Sequence, residues 1–279
     1  MSFHSKADYK GHYDHNGIPQ LNYQGSIGIQ YNPIAIAQWG LGNYNLWLNT
    51  KSKKNYNKFI KCSDWLVENL ELNKKGLKVW MHHFDFEYRD KLTSPWYSGL
   101  AQGQGISVLI RALKETGDKK YAIAIDEAYK SILVDVEAGR VNYTDLNGEN
   151  WIEEYIVKPP THILNGFLWT LWGVYEYSVY FKDSKSKILF DNFSDTILNN
   201  LDSYDLGYWS KYEISNTKIP MIASLFYHKL HIIQLEIMFL ITGDKNYRKY
   251  SIKWKKYSEN KLFKIIAISH KIIFKVLYY

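Results

Sequence analysis

Thr116-Gly117-Asp118-Lys119-Lys120-Tyr121 is written again, with one residue changed, as Thr242-Gly243-Asp244-Lys245-Asn246-Tyr247. Each copy separates two amphipathic stretches. Glycine closes a helix because it takes up left-handed backbone without a Cβ penalty, and aspartate opens the next by accepting hydrogen bonds from its free N–H groups. Two helices joined this way form an αα-hairpin. A degraded copy, Phe181-Lys182-Asp183-Ser184, lies between them, so that Asp118, Asp183 and Asp244 are 65 and 61 residues apart. Asn49-Thr50-Lys51-Ser52 marks a fourth turn about one period earlier. Recurrence on this scale is the signature of stacked supersecondary units.

Working outward from the turns, the helices follow. Asn32 caps a helix with Pro33 at its first position, running through Ile34, Ala37 and Leu41. Phe59, Ile60, Trp65 and Leu66 fall at helical spacing within 57–70. Pro95 opens a helix that passes Leu100, Leu109 and Leu113 to the Gly117 stop, and 121–136 returns. Residues 162–180 and 188–201 form the next pair, and 225–241 and 246–257 the last. Four helical hairpins, with no convincing run of alternating strands, predict an all-α fold, an α/α toroid or partial barrel over 31–258. Residues 1–30 read as an N-terminal extension and 259–279 as a tail. The segments between hairpins, 71–94, 140–159 and 202–224, are longer than turns require and rich in Asp, Glu, Tyr, Trp and Gly. Loops held by a rigid frame are where chemistry concentrates.

Composition narrows the class. Hydrophobic residues at 46% and charged residues at 23% exclude a disordered or collagen-like chain. No apolar run approaches the roughly 18 residues of a membrane span, and Met1-Ser2-Phe3-His4-Ser5-Lys6 lacks a hydrophobic signal region. The single cysteine, Cys62, forms no internal disulfide and no thiolate metal site, so a reducing, cytoplasmic location is expected. A net charge of +7 favours an anionic partner. The 24 Tyr and ten Trp, flat apolar faces with a polar edge, suit sugar rings, bases and interfaces. Lys and Arg are dispersed and no base-reading motif is present, which argues against nucleic acid. In the tail, Lys264, Lys271 and Lys275 share one helical face and Ile265, Ile272 and Val276 lie near another. Such a basic amphipathic helix is expected to pack on its own barrel, with peripheral contact to a membrane surface through 261–279 as the alternative.

Four motifs carry a resemblance. Tyr31-Asn32-Pro33-Ile34-Ala35-Ile36-Ala37-Gln38-Trp39-Gly40-Leu41 resembles the first signature of the D-glucuronyl C5-epimerases, which turn glucuronate into iduronate within heparosan-type chains. Pro95-Trp96-Tyr97-Ser98-Gly99-Leu100-Ala101-Gln102-Gly103-Gln104 is similar to the second. Trp151-Ile152-Glu153-Glu154-Tyr155 followed by Leu164-Asn165-Gly166-Phe167 is similar to the third, and Tyr227-His228 with His231 and Gln234 to the fourth. Better-known members carry a large β-rich region after the first signature, whereas 20 residues separate Gly40 from Lys61 here. The resemblance is therefore to the helical catalytic domain. Where the family has a Tyr-Asp-Leu-Arg-like stretch this chain reads Tyr212-Glu213-Ile214-Ser215, with Lys211 as the substitute cation. Lys offers no bidentate fork.

Inverting C5 of a hexuronate means removing the proton beside the carboxylate and returning one from the opposite face. That requires neutralising the carboxylate and placing an acid/base group on each side of the ring. No metal or redox cofactor is needed, and none is expected. The resemblance implies that Glu154 and Tyr227 are the proton-handling pair. A phenol near pKa ~10 suits a weak carbon acid if neighbouring cations lower it, and a Glu beside Trp151 and Tyr155 rises if desolvated. Tyr97, Tyr155 and Tyr212 are candidates to bind the carboxylate or share proton transfer. Gln102, Gln104, Asn165, Lys211, His228, His231 and Trp96 are candidates for binding the glycan. His228 and His231, at i,i+3 with no third ligand nearby, read more readily as structural than as a metal pair. Glu153 and Glu154 would not share one helix face, so one of them is expected to be structural. The reading that follows is a uronyl C5-epimerase acting on an anionic glucuronate-containing glycan. A polysaccharide lyase shares the carbanion. An α/α-toroid hydrolase would use two carboxylates drawn from Asp145, Glu149 and Glu154. A non-catalytic glycan-binding protein is the fourth possibility.

Overall fold

The four turns found in the sequence all close with a residue in left-handed backbone. In a computed structural model that describes residues 3–87, 90–133 and 135–278, these are Lys51, Gly117, Lys182 and Gly243, with φ between 53° and 76°. Each N–H bonds the carbonyl four residues back. Two of the four are lysines, for which this conformation costs about 1–2 kcal/mol. That is why those two turns look degraded in sequence. Asp118, Asp183 and Asp244 cap the following helices by accepting from the backbone N–H of Lys120, Ser186 and Asn246. Replacing Asp244 by Ala removes an acceptor 2.7 Å from its donor. The loss expected in urea unfolding is about 1 kcal/mol.

The helices in chain order are α1 (His4–Ala7), α2 (Pro33–Thr50), α3 (Lys53–Glu68), α4 (Gly99–Thr116), α5 (Lys119–Tyr129), α6 (Leu164–Phe181), α7 (Ser184–Asn200), α8 (Leu225–Thr242), α9 (Lys245–Glu259) and α10 (Lys261–Tyr278). Helix α5 stops well short of residue 136, where a 3-10 turn over Val136–Ala138 stands instead. The pairs α2/α3, α4/α5, α6/α7 and α8/α9 are the four hairpins. Their first members form an inner layer in the order α2, α4, α6, α8. All four border a cavity of about 190 Å³, through Leu41, Gln104, Trp169 and Ile237, which Phe3 also lines. The protein has an all-α toroid-type fold.

The inner helices are pressed to backbone contact. A Cβ on Gly103 of α4 would stand 2.3 Å from the Cα of Thr170 in α6, and one on Gly173 would stand 2.6 Å from the carbonyl oxygen of Gly103. The outer helices bury large aromatics against their partners: Phe59, Tyr121, Phe190, Phe193, Tyr247 and Trp254.

Short antiparallel strands occupy the segments that join the hairpins. They are β1 (His12–Tyr13), β2 (Pro19–Tyr23) and β3 (Gly28–Gln30) ahead of α2, then β4 (Leu70–Leu72), β5 (Lys78–His82), β6 (Phe86–Glu87), β7 (Lys91–Leu92) and β8 (Trp96–Tyr97) between α3 and α4. A final hairpin, β9 (Asn142–Thr144) and β10 (Asn150–Ile152), pairs Trp151 with Tyr143. Strands of two to five residues contain too few alternating positions to show a period of two, so the sequence does not announce them. Helix α10 packs one face on the body, burying Ala267 and Phe274. Phe274 joins Tyr212 and Met221 in a small apolar cluster.

Candidate active site

The inner helices begin at one end of the toroid, and their starts are held by the linking segments. Glu153 and Glu154 follow β10 and point to different surroundings. Glu153 accepts from the backbone N–H groups of Thr161 and His162 and pairs with the His162 imidazole at 2.5 Å. His162 itself has φ 49° and stacks on Trp151 at 4.0 Å. Glu153 thus ties the loop 153–162 into a fixed shape, and it is the structural member of the pair.

Glu154 is 4% exposed. Its carboxyl rests over the first turn of α6, where a Cβ on Gly166 would fall 2.2 Å from Oε2. Asn165 Nδ2 donates to the same oxygen at 3.4 Å, and the Tyr155 hydroxyl also bonds the carboxyl. Burial pushes its pKa up to about 8, with the charges of Glu213 and Glu153 adding to the rise and the bonds from Tyr155 and Asn165 opposing it. It is a carboxylic acid poised near neutral pH.

Tyr227 lies in the first turn of α8, its N–H bound by the Ser224 cap. Its ring meets that of Tyr212 edge-on at 4.9 Å, and the two hydroxyls share a hydrogen bond. Burial, and then the charge of Glu154, raise the Tyr227 pKa. A lowering by neighbouring cations is the condition the sequence sets for a phenol base. The direction is opposite, because burial dominates and the charge of Glu154 adds to it; the Lys271 ammonium lies 6.0 Å from the Tyr212 ring and donates to the Ile222 carbonyl. Tyr155 senses both Glu154 and Tyr227, and its pKa is pushed well up by burial and by them. Trp96 presents its edge to Tyr155 at 5.8 Å while stacking on His82. Glu154, Tyr155, Tyr212 and Tyr227 are therefore one electrostatically connected cluster, with Asn165 bound to it and Trp96 at its side.

The other candidates lie outside this cluster. Tyr97 points to the opposite face of β8 from Trp96 and donates to the Gly139 carbonyl at 2.8 Å. Gln102 commits its amide to both backbone groups of Trp80 and to the Ser98 carbonyl. Gln104 lines the cavity enclosed by the inner helices. His228 stacks on Trp209 and bridges Ser210 to the Trp254 carbonyl, and His231 bonds the same Ser210 hydroxyl. Burial holds both imidazoles neutral, His228 down to about 4 and His231 to about 3. They fasten α8 to the strand-like run that ends in Tyr212. Lys211 is half-buried in that run, one residue from Tyr212, with burial lowering its pKa. Among the described residues no group of three or more His, Cys, Asp or Glu could hold a metal ion.

Two contributors escape sequence reasoning. Glu213 is 1% exposed and adds to the field at Glu154. Lys271 comes from the tail and senses Glu213 as well as facing Tyr212. Glu213 carries a weak signal, a carboxylate in a segment of aromatics. Lys271 carries none, since only the docking of α10 brings it there.

Comparison with known proteins identifies the family. The family described as D-glucuronyl C5-epimerase C-terminus matches residues 74–256. A D-glucuronyl C5-epimerase of Caenorhabditis elegans is 29% identical over 218 residues, 73% of this chain and 35% of that protein. The chain thus spans about a third of that relative. An uncharacterised protein of Methanocaldococcus jannaschii is 27% identical over 246 residues, 82% of this chain and 78% of its own. Among solved structures, a sugar epimerase from a ruminal bacterium has a TM-score of 0.62 at 11% identity, over 83% of this chain and 60% of that one. The cellobiose 2-epimerase of Bacillus thermoamylovorans gives 0.61 at 13%, over 93% and 68%. At such identities these structures speak for the fold alone. The match over well more than half of its residues places this chain in the D-glucuronyl C5-epimerase C-terminal domain family.

Proposed function

We propose that the protein is a uronyl C5-epimerase that converts glucuronate to iduronate residues within an anionic polysaccharide of the heparosan type. The observation that carries this is the buried Glu154 carboxyl, poised at about 8, coupled to the Tyr212–Tyr227 phenol pair. In the forward direction Glu154 as carboxylate takes the C5 proton. The C–H electron pair passes into the uronate carboxyl, and Tyr227 returns a proton from its hydroxyl to the other face. Its phenolate is reprotonated through Tyr212. A phenol whose pKa is raised is a poor base at rest and a proton donor to a carbanion, and an acid near 8 has an accessible basic form. Asn165 and Tyr155 hold Glu154 in place by their hydrogen bonds.

A two-carboxylate hydrolase finds less support. Asp145 accepts from the Trp151 indole and from its own turn, and Glu149 is bound by Asn199 and Asn200. Both are engaged in local structure.

The test is incubation with heparosan in D₂O, following deuterium at C5 by NMR. Uptake with iduronate signals and no absorbance at 232 nm is expected; an unsaturated product would make the protein a lyase. Tyr227→Phe should lower uptake by about 10²–10³-fold. Because Tyr227 is only partly buried and the ring is kept, the melting temperature should hold. Undiminished uptake in this variant would remove the phenol from the reaction.

A further inference from the structure

Lys and Arg occur throughout the chain, but the surplus that makes up its net charge of +7 resides in one place. Residues 245–278, helices α9 and α10, hold ten Lys and Arg against the single acid Glu259, a surplus of nine that exceeds the net charge of the whole chain. The rest of the molecule, including the site described above, is slightly acidic. Helix α10 adds a second peculiarity. Its inward face is settled against the body by Ala267 and Phe274, by the Tyr278 hydroxyl accepting from the Ile219 N–H, and by Lys271 donating to Ile222. Its outward face exposes Leu262, Ile265, Ile266, Ile268, Ile272, Ile273, Val276 and Leu277, with Val276 at 79% and both Leu262 and Ile265 at 61%. Scattered exposed aliphatics are ordinary; eight on one helix form a contiguous patch of the kind that marks an interaction surface.

The geometry of the cations says what covers it. Lys264, Lys271 and Lys275 recur along one flank of the apolar face, and α10 contains no Asp or Glu. On that flank a groove of about 420 Å³ runs between α10 and the start of α8, walled by Trp209, Phe226, Ile268 and Ile272, with Lys271 and Lys275 at its edge. Phe226 is itself 63% exposed and extends the patch. Long aliphatic side chains edged by lysines, whose stems follow the apolar surface while their ammonium groups reach polar surroundings, match the boundary between headgroups and acyl chains. A polyanionic glycan would use the cations and leave the aliphatics in water. A second copy would bring two basic helices together. Among the described residues no helix is long and apolar enough to cross a bilayer. We infer that α10 is an in-plane membrane anchor that seats the protein on bilayers containing anionic phospholipid.

The inference is independent of the reaction assigned to the Glu154 cluster and is tested without substrate. The full chain is floated with vesicles of phosphatidylcholine alone or with 30% phosphatidylserine. Binding is expected only with phosphatidylserine, and it should weaken in 0.5 M NaCl. Near an anionic surface each lysine is worth roughly a fivefold gain in partitioning, so Lys264→Gln with Lys275→Gln should reduce binding about 25-fold. Ile272→Glu with Val276→Glu should abolish it. Both positions are exposed, so circular dichroism melting of that variant should match the parent. Failure to bind phosphatidylserine vesicles overturns the inference. So does a dimer in light scattering that the Ile272→Glu, Val276→Glu pair dissolves while vesicles go unbound. Heparosan retention that depends on Lys264 and Lys275, without vesicle binding, overturns it in favour of a glycan surface.

Discussion

Glu154→Gln should lower C5 deuterium uptake by about 10³-fold and remove its dependence on pH. In the parent protein uptake should climb as pH rises through about 8, because the proposed base is the deprotonated carboxyl. The amide has no such form, so its residual rate should be flat. The same substitution has a stability consequence of defined sign. The folded protein keeps a proton on Glu154 up to about 8, while an unfolded glutamate releases it near 4.5. Between those values the native state holds one more proton than the unfolded chain, so stability present at pH 4.5 is lost as pH rises to 8. The amide of the Glu154→Gln variant has no proton of this kind to lose. At pH ~9 the variant should be more stable to urea than its parent by roughly 2–4 kcal/mol, and at pH ~5 the two should nearly coincide. A variant that loses activity and shows no gain in stability at pH ~9 would mean that the carboxyl is solvated in the native protein.

Gly103→Ala should be the most damaging small substitution in the frame. Alanine is ordinarily the better helix former by about 1 kcal/mol. Here the added methyl meets the Thr170 backbone at 2.3 Å and the Trp169 carbonyl at 3.0 Å, so α4 and α6 must move apart along their length. Overpacking of this kind costs roughly 3 kcal/mol. For a chain of this size that lowers the melting temperature by about 6–12 °C. Gly117→Ala is the internal comparison. Nothing lies within 4 Å of its Cβ, and its φ of 69° carries only the left-handed penalty, about 1 kcal/mol. Scanning calorimetry should rank the two accordingly. Equal losses would mean that the inner helices can slide apart without consequence.

The frame is legible in the sequence wherever local chemistry writes it. Asp118, Asp183 and Asp244 cap helices, and Pro33, Gly117 and Gly243 mark helix boundaries, because these roles depend on one residue and its immediate neighbours. Lys51 and Lys182 obscure two turns, since they take the left-handed backbone that glycine signals at the other two. The strands in the linking segments are hidden by brevity. The site divides along the same line. Motif likeness points to Glu154, Tyr155, Tyr212 and Tyr227, and the fold gathers them. It also points to Tyr97, Gln102, His228 and His231, which bond Gly139, Trp80, Ser210 and Trp254. A sequence pattern registers that a polar residue matters without distinguishing a group that faces substrate from one that fastens a helix. Lys271 and the charge of α9 and α10 are visible as composition, but their place relative to the carboxyl cluster is a property of the folded chain.

The repeated turns and the Glu154 cluster sit at opposite ends of the inner helices. A hairpin can therefore be copied, lengthened or redrawn at its corner while the buried carboxyl and phenols stay in place. Conversely, the linking segments can be rewritten without disturbing the corners. That separation is what a scaffold needs to outlive any one chemistry.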